Sequence, residues 1–189
     1  VVTSTSLVAC IFLGLRKKGI AKSELLQKTQ HLLGRFKNQQ DIRYRIAPEL
    51  EEQFEKHIDD SLNLFIADSL ITVETVNEEL FYRPKEKAYL VLDYYKNSII
   101  HLLVSDAMLA ASYLACAYKQ SEGITKEALK AQVKSLSILF KIEFIFPTDK
   151  PFDTLFNEAY ERCLSKGWLQ EDKGLADLSS NTSHQKEFL

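Results

Sequence analysis

At 189 residues the chain is long enough for one large domain or two small ones. Hydrophobic residues at 46% and charged residues at 26% exclude a disordered or low-complexity chain, and only six Gly and four Pro argue against an all-β design. The formal net charge of −2 argues against a nucleic-acid binder, yet it hides an asymmetry. Residues 1–45 carry nine Lys/Arg against Glu24 and Asp41, a net +7, whereas residues 46–86 carry three basic against eleven acidic side chains, a net −8. Either these blocks face each other, or the first leaves a basic face for anionic lipid, phosphate or nucleic acid. Arg16, Lys17, Lys18, Arg35, Lys37, Arg43 and Arg45 are the candidates for such an anionic contact.

In chain order, Thr3 to Lys18 reads as a helix with Ser/Thr at its start to cap it and Gly19 to stop it. Lys22 to Lys37 is a second helix, with Leu25, Leu26, Thr29, Leu32, Leu33 and Phe36 on one stripe. A third starts at Pro48 and runs to about Ala67. Leu70–Val73 and Leu80–Tyr82 bracket a six-residue β-hairpin loop. A long helix from about Ala88 to Lys119, continuous or with a break, follows, then a helix capped by Thr125 and running to about Phe140. Ile142 to Phe146 is β-prone, Phe152 to Ser165 is helical, and Gly167 ends that helix before a short strand at Trp168-Leu169. The chain is polar from Glu171 on and is expected to end in disorder.

An internal echo runs through this order. Gly19-Ile20-Ala21-Lys22 recurs as Gly123-Ile124-Thr125-Lys126, Leu25 meets Leu129, and Phe36 meets Phe140. Asp68-Ser69-Leu70-Ile71 parallels Lys166-Gly167-Trp168-Leu169. The expected fold is therefore mainly α, a helical domain with one or two short β-hairpins, readable as two winged-helix-like halves. The divisions are 1–86, 87–170 with the central helix packed on the first half, and a polar tail, 171–189.

The central stretch from Val91 to Ala110 is apolar on nearly all sides, as expected of a buried helix. Tyr94, Asn97, His101, Ser105, Met108 and Ser112 fall in one sector of it. A polar ridge on a buried helix must find partners, so Tyr94, Asn97, His101 and Ser105 are expected either to form a buried hydrogen-bond network or to face an interdomain contact. His101-x4-Asp106 has the spacing of an acyltransferase acid–base pair, but on an unbroken helix the two point about 140° apart, which argues against catalysis. Cys10, Cys116 and Cys163 lack metal-ligand spacing and read as small buried thiols in a reducing compartment. No residue pattern implies a metal or cofactor. Leu7–Leu15 is too short to span a membrane, and Ile99–Tyr118 carries His101 and Asp106.

The run Leu92-Asp93-Tyr94-Tyr95-Lys96-Asn97-Ser98-Ile99-Ile100-His101-Leu102-Leu103, followed by Ala107 to Ala111, resembles the C-terminal region of the glycerol-3-phosphate acyltransferase family. So do the entry Val2–Ala9 and the closing Gly167-Trp168-Leu169. The dihydroxyacetone-phosphate acyltransferases are close alternatives as parents. The resemblance implies a parent that transfers an acyl group from acyl-CoA or acyl-carrier protein through an upstream domain carrying the catalytic block. It implies no catalytic residue here. The chain begins Val1-Val2 with Met108 its single Met, and is read as part of a longer polypeptide. Expected partners are that upstream catalytic domain and an anionic membrane surface, with a membrane-associated, cytoplasmic-side parent and a soluble fragment. The alternative is a winged-helix adaptor or nucleic-acid-binding module.

Overall fold

The structure, a computed structural model, describes residues 1–15, 18–37, 44–119, 123–141, 150–172 and 175–178. It is mainly helical and divides into two compact units, Val1–Ile100 and His101–Leu189.

In the first unit, α1 (Ser4–Gly14) opens on a capping box. The Thr3 hydroxyl accepts from the Ser6 amide at 3.3 Å, and Ser6 Oγ accepts from the Thr3 amide at 3.1 Å. Strand β1 (Ile20–Ala21) leads into α2 (Lys22–Lys37), whose Leu25, Thr29, Leu33 and Phe36 are buried as the stripe predicts. Thr29 is tolerated there because its hydroxyl donates to the Leu25 carbonyl at 2.7 Å. The expected third helix is interrupted at Gln53 (φ −137°, ψ 54°), giving α3 (Glu49–Glu52) and α4 (Phe54–Ala67). Strands β2 (Ile71–Val76) and β3 (Glu79–Pro84) form the hairpin. Its loop is two residues rather than six, because Asn77 and Glu78 both take positive φ, the requirement of a tight hairpin turn. The sheet order is β1-β3-β2, antiparallel throughout.

After a 3-10 turn at Glu86–Ala88, α5 (Tyr89–Ile100) packs on α1 and completes this unit. The long helix expected over 88–119, continuous or with a break, is two helices, broken at His101-Leu102-Leu103 and resumed as α6 (Val104–Lys119). No Gly or Pro causes the break. Tertiary packing overrides propensity, since Leu92 and Ile99 are buried in the first unit and Val104 and Leu109 in the second. The division accordingly falls after Ile100, not after residue 86.

The second unit repeats the order of the first. α6 is followed by β4 (Ile124–Thr125), α7 (Lys126–Leu139), α8 (Phe152–Ser165), β5 (Leu169–Asp172) and β6 (Leu175–Leu178). The sheet order β4-β6-β5 matches β1-β3-β2, so both units have the plan of a winged helix. Thr125 caps α7, accepting from the Ala128 amide at 3.2 Å. The expected disordered tail is corrected in part, because Leu175–Leu178 is a strand lying between β4 and β5. The β-prone stretch 142–146 and residues 179–189 lie outside the described residues.

The duplication is most exact where each third helix ends. Leu70 donates its amide to the Phe65 carbonyl at 2.8 Å, and Trp168 donates to Cys163 at 2.9 Å. One residue earlier, Ser69 donates to Ile66 and Gly167 to Leu164, both at 2.9 Å. These are the two bonds of a Schellman turn, with Ser69 (φ 57°) and Gly167 (φ 67°) at its left-handed position. Leu25 and Leu129 are both fully buried, whereas Phe36 is buried and Phe140 exposed, so the repeat loosens at the end of α7.

A side chain in the left-handed region costs about 1–2 kcal/mol. Ser69→Gly should therefore raise the unfolding free energy by about 0.5–1 kcal/mol, and Gly167→Ser should lower it by about 1 kcal/mol. Urea unfolding followed by circular dichroism measures both, and equal signs for the two changes would refute the shared turn.

Candidate functional site

The polar ridge of the central stretch does not stay in one environment. Tyr94 is 77% exposed, and Asn97 and His101 are exposed with it, which goes against the buried-network alternative and leaves the interdomain-contact alternative untested. The physical reason is the break at 101–103: the sector drawn on one continuous helix is divided between two. Ser105 is half-buried, and Met108 and Ser112 face the core of the second unit. The Ser112 hydroxyl finds no hydrogen-bond partner among the described residues. Tyr94 is tied to the first core through rings: its centroid lies 6.0 Å from that of Tyr95, which lies 5.2 Å from Phe65.

Ser105 borders a cavity of about 40 Å³ between α6, α7 and α8, with Met108, Val133, Ser137, Phe152 and Phe156 among its walls. Ligand pockets are commonly of the order of several hundred Å³. This void has room for a few waters and not for a substrate-sized ligand.

Asp106 is 2% exposed, and its Oδ1 accepts from Arg162 at 2.7 Å, joining α6 to α8. The helix between His101 and Asp106 is not continuous, so the 140° separation expected on an unbroken helix does not hold. The carboxylate nevertheless has a structural occupation, holding a guanidinium from a helix that the His-x4-Asp spacing never considers. Arg162 was missed in the sequence. Its signal was the need of a buried acid on an apolar helix for a cation from elsewhere.

The charged blocks of the first unit meet. Lys22 on α2 pairs with Asp59 on α4 at 2.8 Å, and Lys37 with Glu51 on α3 at 3.6 Å. The Ser23 hydroxyl donates to Glu79 on the wing. The hydrogen bond that the Lys22 ammonium donates to Asp59 holds it above its ordinary pKa. Each pair is partly exposed and contributes at most about 1 kcal/mol. Of the candidate anionic contacts, Lys18 and Arg45 are exposed, Lys37 is shared with Glu51, and Arg35 is half-buried. Arg16, Lys17 and Arg43 lie outside the described residues. The second unit does likewise: Lys126 pairs with Glu161 at 3.7 Å and Lys130 with Asp153 at 3.1 Å, both from α7 to α8. Lys126 also sits 4.4 Å above the Tyr160 ring.

The third helix and wing are where a winged helix meets nucleic acid. In the first unit these carry exposed Glu55, Asp60, Glu74 and Glu78. Carboxylates there repel phosphate, so charge works against the nucleic-acid alternative.

As for nucleophiles, burial pushes the Cys10 thiol up to about 12, opposed only in part by Lys96. It is a protonated thiol at neutral pH. Burial, then the Tyr160 hydroxyl's hydrogen bond to Glu171 at 3.1 Å, raises that phenol as well. Among the described residues, no cluster of three or more His, Cys, Asp or Glu is placed to hold a metal ion. No single described helix is long and apolar enough to cross a membrane.

The family model "Glycerol-3-phosphate acyltransferase C-terminal region" matches residues 1–189. A protein of Shewanella loihica (strain ATCC BAA-1088 / PV-4) named glycerol-3-phosphate acyltransferase is 31% identical over 88 residues. That stretch is 47% of this chain and 10% of the relative, so the match covers about a tenth of the relative's length.

Two outcomes test the chemistry of these sites. Iodoacetamide at pH 8 should alkylate Cys10 in the folded chain at least about a hundredfold more slowly than free cysteine, because the thiolate is scarce. The rate should climb with pH to about 11; a rate equal to free cysteine would refute the raised thiol. Arg162→Ala should lower stability by about 2–3 kcal/mol, discounted for the partial exposure of the arginine, by leaving Asp106 buried without its cation. The double change Asp106→Leu with Arg162→Met should cost less than that single change in the same denaturation series.

Proposed function

The chain belongs to the glycerol-3-phosphate acyltransferase C-terminal family, and from that premise we propose that it is a non-catalytic region of a longer acyltransferase polypeptide. In this reading another part of that polypeptide transfers the acyl group from acyl-CoA or acyl-carrier protein to the sn-1 hydroxyl of glycerol 3-phosphate, a step of phospholipid biosynthesis. The region's own work is to pack against the catalytic part and to support its position at the cytoplasmic side of a membrane.

The observation that carries this reading is the occupation of the reactive side chains. The one acid that stands at acyltransferase spacing from a histidine, Asp106, is buried and committed to Arg162. Its Oδ1 accepts from Arg162 and ties α6 to α8, a structural role. Cys10 is held as a thiol. The family match and the relative's name support the identity of the parent reaction.

The purified 189-residue chain, supplied with palmitoyl-CoA and glycerol 3-phosphate, should release no CoA thiol above the rate without protein. Turnover dependent on glycerol 3-phosphate would overturn the non-catalytic reading.

A further inference from the structure

Helix α5 is apolar on two sides, and only one is used inside the unit. Leu92 and Ile99 are fully buried, on the side that packs on α1. On the opposite side, Asn97, Leu90, Tyr94, Ser98 and Val91 fall within a sector of roughly 120°, and all five are exposed. Leu90 is 86% exposed and Tyr94 77%. Outward apolar residues scattered singly need no explanation, but three adjacent on one helix face do. Tyrosine is enriched at the centres of protein interfaces because it offers a large rigid ring with a polar end. Here the ring is already braced against Tyr95, so little freedom remains for a partner to remove.

We propose that this face of α5, centred on Leu90 and Tyr94, is the surface on which the upstream acyltransferase part of the same polypeptide docks. This rests on the reading above and names its contact. Two observations select that occupant. The matched stretch is about a tenth of the relative's length, so a chain of this kind has a far larger body of polypeptide to pack against. The face is also uncharged: Asp93 and Lys96, the charged residues of α5, pair with each other beside it. An anionic lipid surface is met by Lys and Arg, and a nucleic acid likewise, whereas an apolar face with an amide and two hydroxyls suits a protein surface of matching polarity. The complement is an apolar hollow receiving Leu90 and the Tyr94 ring, with hydrogen-bonding groups near Asn97 and Ser98.

The intact acyltransferase polypeptide carries the test. A photoreactive benzoylphenylalanine in place of Tyr94 should cross-link to residues upstream of Val1 in the same chain. The same probe at exposed Gln53 should give at least about tenfold less of that product. Adducts with phospholipid, adducts with a second copy alone, or no excess over the Gln53 probe would overturn the proposal. A protease site placed ahead of Val1 then separates surface from reading. After cleavage the wild-type region should stay with the upstream part, and Leu90→Asp with Tyr94→Ser should weaken retention at least about tenfold. Equal retention of both would sink the α5 surface and leave the non-catalytic packing reading standing. Loss of wild-type retention would sink both. The double variant's circular dichroism melt should stay cooperative and fall by no more than about 5 °C, the loss of the Tyr94–Tyr95 ring contact.

Discussion

Each unit depends on a backbone constraint at the end of its third helix. A helix leaves its last carbonyls unpaired, and the chain must reverse at once if the next strand is to join the sheet. The Schellman turn does both. It closes Phe65 and Cys163 with amides from Leu70 and Trp168, and it starts β2 and β5 at the very next residue. The left-handed residue is the hinge of that reversal. Glycine meets the requirement freely at 167, while Ser69 meets it with strain that the surrounding bonds sustain. The apolar residue after the hinge is then driven into the core: Trp168 is fully buried and Leu70 nearly so.

Around that turn the charge pattern serves packing between helices. Lys22 and Lys126 occupy the same place, the first residue of the second helix, and each reaches an acid on the third. The acids differ in position, Asp59 on α4 and Glu161 on α8, yet the geometry of the reach is kept. Basic side chains that a DNA-binding winged helix would aim at phosphate are here turned inward to acids. What remains outward on α4 and the first wing is largely acidic. The fold is thus separated from its most familiar use by side chains alone, which is the general relation between fold and function.

Much of this was legible in the residues. Helices α2 and α8 begin and end where their stripes and flanking signals place them, because strong amphipathic periodicity leaves few alternatives. The echo of Gly-Ile plus a capped helix was enough to suggest two winged-helix halves. What escaped reading has common causes. The break at 101–103 has no Gly or Pro because it is imposed by two cores competing for one apolar run. With both sides of that run apolar, periodicity could not say which side faces out, so for Tyr94, Asn97 and His101 a buried network and an interdomain contact both stayed open. Strand β6 was hidden because Leu175-Ala176-Asp177-Leu178 is short and polar-flanked, and it is held by pairing with β4 and β5 on either side. The Arg162–Asp106 contact joins residues 56 apart, a separation no local pattern reports.

The position of the family-like run follows from the same competition. A buried helix resembles its relatives because packing restricts its side chains, and such a likeness speaks of stability. On α5 the Tyr94 and Asn97 of that run are exposed, and within the unit Tyr94 is held through the Tyr95 ring. Surface positions are freely substituted at little cost to stability, usually within about 0.5 kcal/mol. Exposed apolar side chains such as Leu90 at such positions gain little from the unit's own fold. The central stretch thus divides between Leu92 and Ile99, buried against the first core, and Leu90 and Tyr94, exposed on the face proposed above as a docking surface.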